Sequence, residues 1–185
     1  MADTMTDTGF TSSAGASSVL DADFEATMSF QAPADAVFDA LTTPSSLVRW
    51  WTSWTTISGS GLAGGELTFV FGDDRLVMRV DQAERPSVVR WTALASFEPV
   101  QDWVGTTISF DVSPTETGGS RLHFRHRGLT PRLECFNTCR KGWEQYLPSL
   151  VDYVDSGQGN PIGSSSGMRA APRLDDAAPD GRWVA

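Results

Sequence analysis

Apolar positions along this chain follow two different periods. Over most of Asp23–Arg127 they recur at every second residue, and over Thr130–Gly157 at every third and fourth. The first period puts alternate side chains on one face of a strand, and the second puts them on one stripe of a helix. Phe24, Ala26, Met28 and Phe30 share a face and predict a first strand over Asp23–Ala32. Ala32-Pro33-Ala34-Asp35 then opens a short helix whose apolar side is Val37, Phe38 and Leu41. Pro44-Ser45-Ser46 opens a second, which runs into Arg49-Trp50-Trp51. A glycine-rich turn over Gly59–Gly65 follows. Beyond it come five alternating sets: Leu67, Phe69 and Phe71; Leu76, Met78 and Val80; Val89, Trp91, Ala93 and Ala95; Thr106, Ile108, Phe110 and Val112; Leu122, Phe124 and His126. Gly72-Asp73-Asp74, Glu84-Arg85-Pro86-Ser87 and Thr117-Gly118-Gly119 read as turns between them. Strands joined by short turns predict an antiparallel meander.

The long helical pattern covers Thr130–Gly157. Phe136, Cys139, Trp143, Tyr146, Leu147, Leu150 and Val154 form its apolar stripe. Thr130 reads as its N-cap, Pro131 as its first helical residue and Gly157 as its C-terminal cap, with Pro161 barring continuation. Pro148 lies inside the pattern, removes a backbone donor and predicts a kink. A sheet with one apolar face must bury it, and this helix is the only long cover available. The expected fold is α+β: a curved antiparallel sheet of about six to seven strands wrapped around a long C-terminal helix, with two short helices after the first strand.

Composition adds the ends and the partners. Residues 1–20 and 159–185 are rich in Gly, Ser, Ala and Asp without period, so they read as disordered tails around a domain at 21–158. Trp183 is isolated in the second tail, and Met1 and Met5 both serve as candidate starts. The net charge of −9 argues against nucleic acid and anionic membranes as partners. The first 48 residues hold seven acidic side chains and no Lys or Arg. No apolar run reaches membrane-spanning length, and no basic segment precedes an apolar one at the start. Cys135 and Cys139 lie four apart on one expected helix, which suits neither a disulfide nor, without a nearby His or second Cys pair, a zinc site. The reading is a reduced, cytoplasmic protein with no metal and no cofactor. Gly59-Ser60-Gly61-Leu62-Ala63-Gly64 matches the dinucleotide fingerprint formally, but a strand follows where that fingerprint needs a helix.

The order of these elements resembles the Bet v 1-like/START (SRPBCC) superfamily. More narrowly, it resembles proteins related to the C-terminal domain of the Hsp90 ATPase activator. The residues that carry the resemblance are Ala32 to Leu41, Pro44 to Trp51 with its Arg-Trp-Trp triplet, Gly64-Gly65-Glu66-Leu67, and Gly142-Trp143 followed by Leu147, Ser149-Leu150, Tyr153 and Gly157. The likeness covers about residues 22–160. It implies a helix-grip fold with a deep apolar cavity between sheet and helix. Relatives bind lipids, hormones or polyketide-like molecules, a few are cyclases or hydrolases, and some touch Hsp90. Pro148 departs from the pattern and puts the shape of one cavity end in doubt.

The candidate ligand-binding residues follow from the inward faces: Phe69, Phe71, Met78, Trp91, Ile108, Phe110, Phe124, Phe136, Trp143 and Leu147. Most of these side chains are expected to fill the core; the seven Trp and ten Phe, on a face covered by one helix carrying Gly142, point to a void that a small molecule would occupy. Trp50 and Trp51, with Trp54, either anchor the second short helix or stack on a flat ligand whose anionic group Arg49 would hold. His126 points inward in register with Leu122 and Phe124, as a satisfied core histidine, a ligand reader or a general base. Glu98 and Asp102 sit on a loop before an expected strand at Trp103. Arg121, His123, Arg125 and Arg127 form a basic stripe on the opposite face, expected to pair with Asp111 or the acidic N-terminal region. No catalytic motif is present. Three functions remain open: binding of a small hydrophobic, aromatic or lipid-like molecule; a cyclase, isomerase or hydrolase in the same cavity with His126 as acid/base; and a chaperone-interaction module of the Hsp90 type. The oligomeric state is open.

Overall fold

The computed structural model describes residues 22–53, 56–71, 74–96 and 101–162, without the side chains of Phe71, Asp74 and Gln101. The expected N-terminal tail, residues 163–185 of the expected C-terminal tail with Trp183, and Trp54 and Glu98 lie outside the described residues, as does the Phe71 side chain. The chain runs β1 (Phe24–Phe30), α1 (Ala34–Thr42), α2 (Pro44–Trp50), β2 (Thr56–Gly59), β3 (Glu66–Phe71), β4 (Asp74–Glu84), β5 (Val88–Ala95), β6 (Thr107–Pro114), β7 (Ser120–Arg127) and α3 (Phe136–Ser156).

The seven strands form one antiparallel sheet in the order β1-β7-β6-β5-β4-β3-β2. Six follow one another as a meander, and β1 adds at the far edge beside β7. The helices α1 and α2 carry the chain from one edge to the other. Alternation sorts the faces as expected: β7 reads buried and exposed in strict turn. Cross-strand rows then form on the inner face. Phe24, His126, Ile108, Trp91 and Val80 make one row; Ala26, Phe124, Phe110, Val89 and Ala83 make the next. Register shifts between Val77 and Met78 and between Val80 and Gln82 interrupt the β4–β5 ladder. Such extra residues bend the strand that carries them, which helps the sheet close on a helix.

The helix α3 covers the inner face, with Cys139, Gly142, Trp143, Leu147, Ser149 and Leu150 buried. It starts five residues later than the spacing predicts. Residues 131–135 form turns instead, closed by Leu133 N–H to Thr130 O (3.0 Å) and Phe136 N–H to Leu133 O (3.2 Å). The Cys135 amide donates to the Asp102 carboxylate at 3.3 Å, so an outside acceptor takes a group that a longer helix would have used. At the other end Gly157 takes the left-handed conformation (φ 78°) that caps a helix without steric cost. The helix continues unbroken through Pro148, which lies on its exposed side.

Past the cap the chain turns back. Ile162 bridges Thr52 in parallel and is buried, with Ser53 N–H to Ile162 O at 2.9 Å and Ile162 N–H to Trp51 O at 3.2 Å. Ser149 ties three segments together: its hydroxyl donates to Trp50 O (2.7 Å) and accepts from Asn160 N–H (2.6 Å). Packed chain therefore extends beyond the expected domain end at 158. Asp155, near the end of α3, accepts from the amides of Gln31 (3.0 Å) and Ala32 (3.0 Å) and so holds the β1–α1 corner. Arg85 on the β4–β5 turn pairs with Asp35 at 2.7 Å and with Asp39, and lies over the Phe38 ring.

Candidate functional site

Trp50 ends α2 and Trp51 follows it as the C-terminal cap, the two rings stacked on each other (5.8 Å, 17°). Trp50 turns to α1, fully buried, and donates its indole N–H to Ala40 O at 3.0 Å. Trp51 turns to the sheet and becomes the centre of an aromatic cluster. It stacks on Trp91 (5.9 Å, 1°), meets Phe69 edge-on (4.8 Å) and lies against Trp143 (5.4 Å) and Tyr146 (6.0 Å). Phe110 joins Trp91 to Phe124, and Phe124 packs on Trp143. Offset and edge-on geometries of this kind add attraction to the burial itself.

His126 sits inside this cluster with no exposure. The Trp143 indole N–H donates to its Nδ1 at 3.0 Å. An indole nitrogen can only donate, so Nδ1 is the acceptor and the ring proton is on Nε2. Nε2 lies 2.9 Å from the Thr106 hydroxyl, which donates in turn to Trp103 O at 2.7 Å. The chain of donors thus runs from Trp143 through His126 and Thr106 to the Trp103 carbonyl. Both imidazole nitrogens are satisfied in the neutral form. Burial lowers the histidine pKa to about 3. A proton on Nδ1 would also face the Trp143 N–H.

Met78, Ile108, Phe110, Phe124 and Leu147 are buried in the same core, whereas Phe136 is only partly so. Arg49 is exposed, on the far side of α2 from the cluster. Asp102 holds the Cys135 amide, while Glu98 is not described. Trp103 is not in a strand: residues 101–103 form a single 3-10 turn. Two members of the outer basic stripe, Arg125 and His123, meet the acidic N-terminal residues. Arg125 meets Glu25 (2.5 Å) and Asp23 (3.5 Å), and His123 lies 3.5 Å from Glu25. Asp111 is taken by Arg90 on β5 (2.9 Å) rather than by the stripe. A cleft of about 440 Å³ on this outer face is edged by Arg90, Arg125, Arg127 and Asp111. Another of about 460 Å³ lies between Phe38, Pro44, Leu62 and Arg85. Neither of these two is the expected chamber between sheet and α3. Among the described residues no group of three or more His, Cys, Asp or Glu could hold a metal ion.

Trp103, and several pairings of residues already placed inward, escaped the sequence reading. Trp103 stacks on Trp143 (6.0 Å, 10°) and meets His126 edge-on (4.7 Å). No period marks it, because it arrives from a turn. Thr106 was visible as an inward position, but not as the acceptor for His126. Tyr146 packs its ring beside Gly142, only 3.1 Å from where a Cβ would stand. Burial raises its pKa above the ordinary tyrosine value. Two buried donors, Trp91 Nε1 and Gln145 Nε2, have no hydrogen-bond partner among the described residues.

The family model described as activator of Hsp90 ATPase homolog 1-like protein matches residues 31–155. The chain belongs to this family. The activator of Hsp90 ATPase homolog 1-like match runs from the residue after β1 to Asp155 in the last turn of α3, and so covers most of the segments that build the aromatic interior. Among solved structures, the Aha1 dimer of Colwellia psychrerythraea, determined in solution, shares 26% identity over 75% of this chain and 99% of that one, with a TM-score of 0.64. Protein SSP2350 of Staphylococcus saprophyticus aligns at 18% identity over 75% and 95%, with a TM-score of 0.60. CalU16 of Micromonospora echinospora aligns at 19% identity over 80% of each chain, with a TM-score of 0.57. The last two likenesses show the fold alone, the helix-grip arrangement described above. No curated protein matches the sequence. Among the described residues, no helix is long and apolar enough to cross a membrane.

Proposed function

We propose that this protein binds a small, flat, largely apolar molecule carrying a hydrogen-bond acceptor, in the aromatic interior between sheet and α3. The observation that supports this is the Trp91 indole N–H. It is fully buried, stacked on Trp51 and left without an acceptor among the described residues. An unsatisfied buried donor costs about 1–3 kcal/mol and is uncommon in folded proteins. A ligand carbonyl or ring oxygen would remove that cost. The proposed contacts are Trp51, Phe69, Trp91, Phe110, Phe124 and Trp143, with Trp50 as a support for α2. His126 is placed as a structural group. Its one lone pair is occupied by Trp143, and among the described residues its ring nitrogens bond to Trp143 and Thr106, which argues against the acid/base reading.

The test is a thermal-shift and ligand-detected NMR screen of flavonoids, sterols, fatty acids and aromatic polyketides against wild type and Trp91→Phe. Binding that the variant weakens by roughly tenfold, the worth of about one hydrogen bond, supports the reading. Equal binding to both proteins, or no binder in the panel, defeats it. A second reading, contact with an Hsp90-type chaperone, is favoured by the exposed apolar side chains Leu94 and Val104. The strand end and turn that carry them are joined by Gly105 N–H to Ala93 O at 2.9 Å. Loss of chaperone binding in Leu94→Ser and Val104→Ser would support it.

A further inference from the structure

We propose that the cleft on the outer face of the sheet binds a phosphate dianion, free or as the head of a small phosphomonoester, with Arg127 as its main cation. Strand pairing builds the site. Arg90 on β5, Ser109 on β6 and Arg125 on β7 stand in one cross-strand row, and Thr92, Thr107 and Arg127 stand in the next. These side chains lie on the face away from α3, because their neighbours Trp91, Ile108, Phe124 and His126 are buried on the inner one. The two rows set the half-buried hydroxyl residues Ser109 and Thr107 among three arginines. Together they line the cleft of about 440 Å³.

Its charges are unequally engaged. Arg90 holds Asp111 at 2.9 Å, and Arg125 holds Glu25 at 2.5 Å. Asp81, on the β4 side of the cleft, accepts from Thr92 Oγ1 at 2.5 Å on one oxygen and from Arg79 Nε at 2.6 Å on the other. Both lining carboxylates thus have partners. Arg127 and the hydroxyls of Ser109 and Thr107 have none among the described residues, although all three line the cleft. Arg125 and Arg127 also stand two residues apart on the same face of β7, where like charges repel. An anion between them would turn that repulsion into attraction.

The donor set selects the kind of anion. A guanidinium gives parallel N–H groups to an oxyanion, and a hydroxyl gives one O–H. A tetrahedral phosphate has oxygens enough to meet arginines at the sides and hydroxyls below at once, whereas a carboxylate offers two oxygens in one plane. The net charge of −9 repels anions from the molecule as a whole, so only a local array of donors can hold one. The cleft falls within the range of small-molecule sites, about 300–1,000 Å³, and leaves room for the organic part of an ester. It lies on the opposite face from the aromatic interior, so the two binding proposals stand or fall separately.

The experiment titrates the full, isotope-labelled chain with inorganic phosphate, glycerol phosphate and acetate by NMR. It holds ionic strength constant at about pH 7.5, where both phosphates are mainly dianions. Phosphate should shift the backbone signals of Ser109 and Arg127 and the Arg127 side-chain Nε–H signal, and acetate should not. Tighter binding of glycerol phosphate than of inorganic phosphate supports the ester as the source, and equal binding supports the free anion. Arg127→Gln should weaken binding by roughly tenfold, the worth of one charge-assisted hydrogen bond. Arg121→Gln removes the same charge from the same strand outside the cleft and should leave binding unchanged. Both variants should melt with wild type, since both side chains are exposed. No response to either phosphate, or an equal response to acetate, overturns the proposal. So does phosphate binding that Arg127→Gln leaves intact or that Arg121→Gln weakens as much.

Discussion

His126 concentrates the residue-scale lesson. Its register with Leu122 and Phe124 was enough to turn it inward, since strand alternation allows no other direction. Its protonation was not legible, because Trp143, Thr106 and Trp103 reach it from three separate segments. The consequence is a pH dependence with a definite sign. The folded ring titrates at about 3, whereas an unfolded histidine titrates near 6.5. Below 6.5 the unfolded chain takes up a proton that the folded chain refuses, so this residue lowers stability as pH falls from 6.5 toward 3, by up to roughly 1.4 kcal/mol per unit. Above 6.5 it contributes no slope. Urea unfolding of wild type and His126→Gln across that window should differ by this slope. Thr106→Val removes the acceptor for Nε2–H and the donor to Trp103 O, and should cost about 1–3 kcal/mol by the same measurement.

At the scale of elements, most strands and both short helices follow from periodicity, since each has one apolar face and a clear turn at its end. The misses share a cause. The strand β2 is four residues long, with Ile57 its one large apolar side chain, so it presents no alternation to detect. The start of α3 was placed too early because Thr130 and Pro131 have the right chemistry for a helix end, whereas the competing acceptor, Asp102, lies 33 residues away in sequence. The return segment after Gly157 reads as loose tail by composition, yet Ser149 and Ile162 fasten it to the end of α2. Ser149→Ala should therefore cost about 1–3 kcal/mol and speed amide exchange at Asn160. A chain ending at residue 158 should melt below one ending at 162 in calorimetry, because it loses the buried Ile162 and two backbone hydrogen bonds across Trp51–Ser53.

Considered as a whole, the molecule is a sheet that wraps one helix around a set of stacked indoles, inside a chain of net charge −9. Glu25 on β1 and Asp23 just before it pair with Arg125 in the basic stripe of β7. If the binding proposal is correct, a ligand present at 100 times its Kd adds about 2.7 kcal/mol of stability. The thermal shift that follows, measured from each protein's own unliganded melting temperature, should shrink in Trp91→Phe. The sequence alone determined the class of the fold and which side chains face inward, because hydrophobic period and turn chemistry are local and each strand or helix carries its own record of them. Only the tertiary structure decided which inward groups meet: that Trp143 silences His126, that Trp91 lacks an acceptor among the described residues, and that the Trp103 indole reaches the Cys139 sulfur. Those pairings join residues far apart in the chain through distances of a few ångströms, and no local period encodes them.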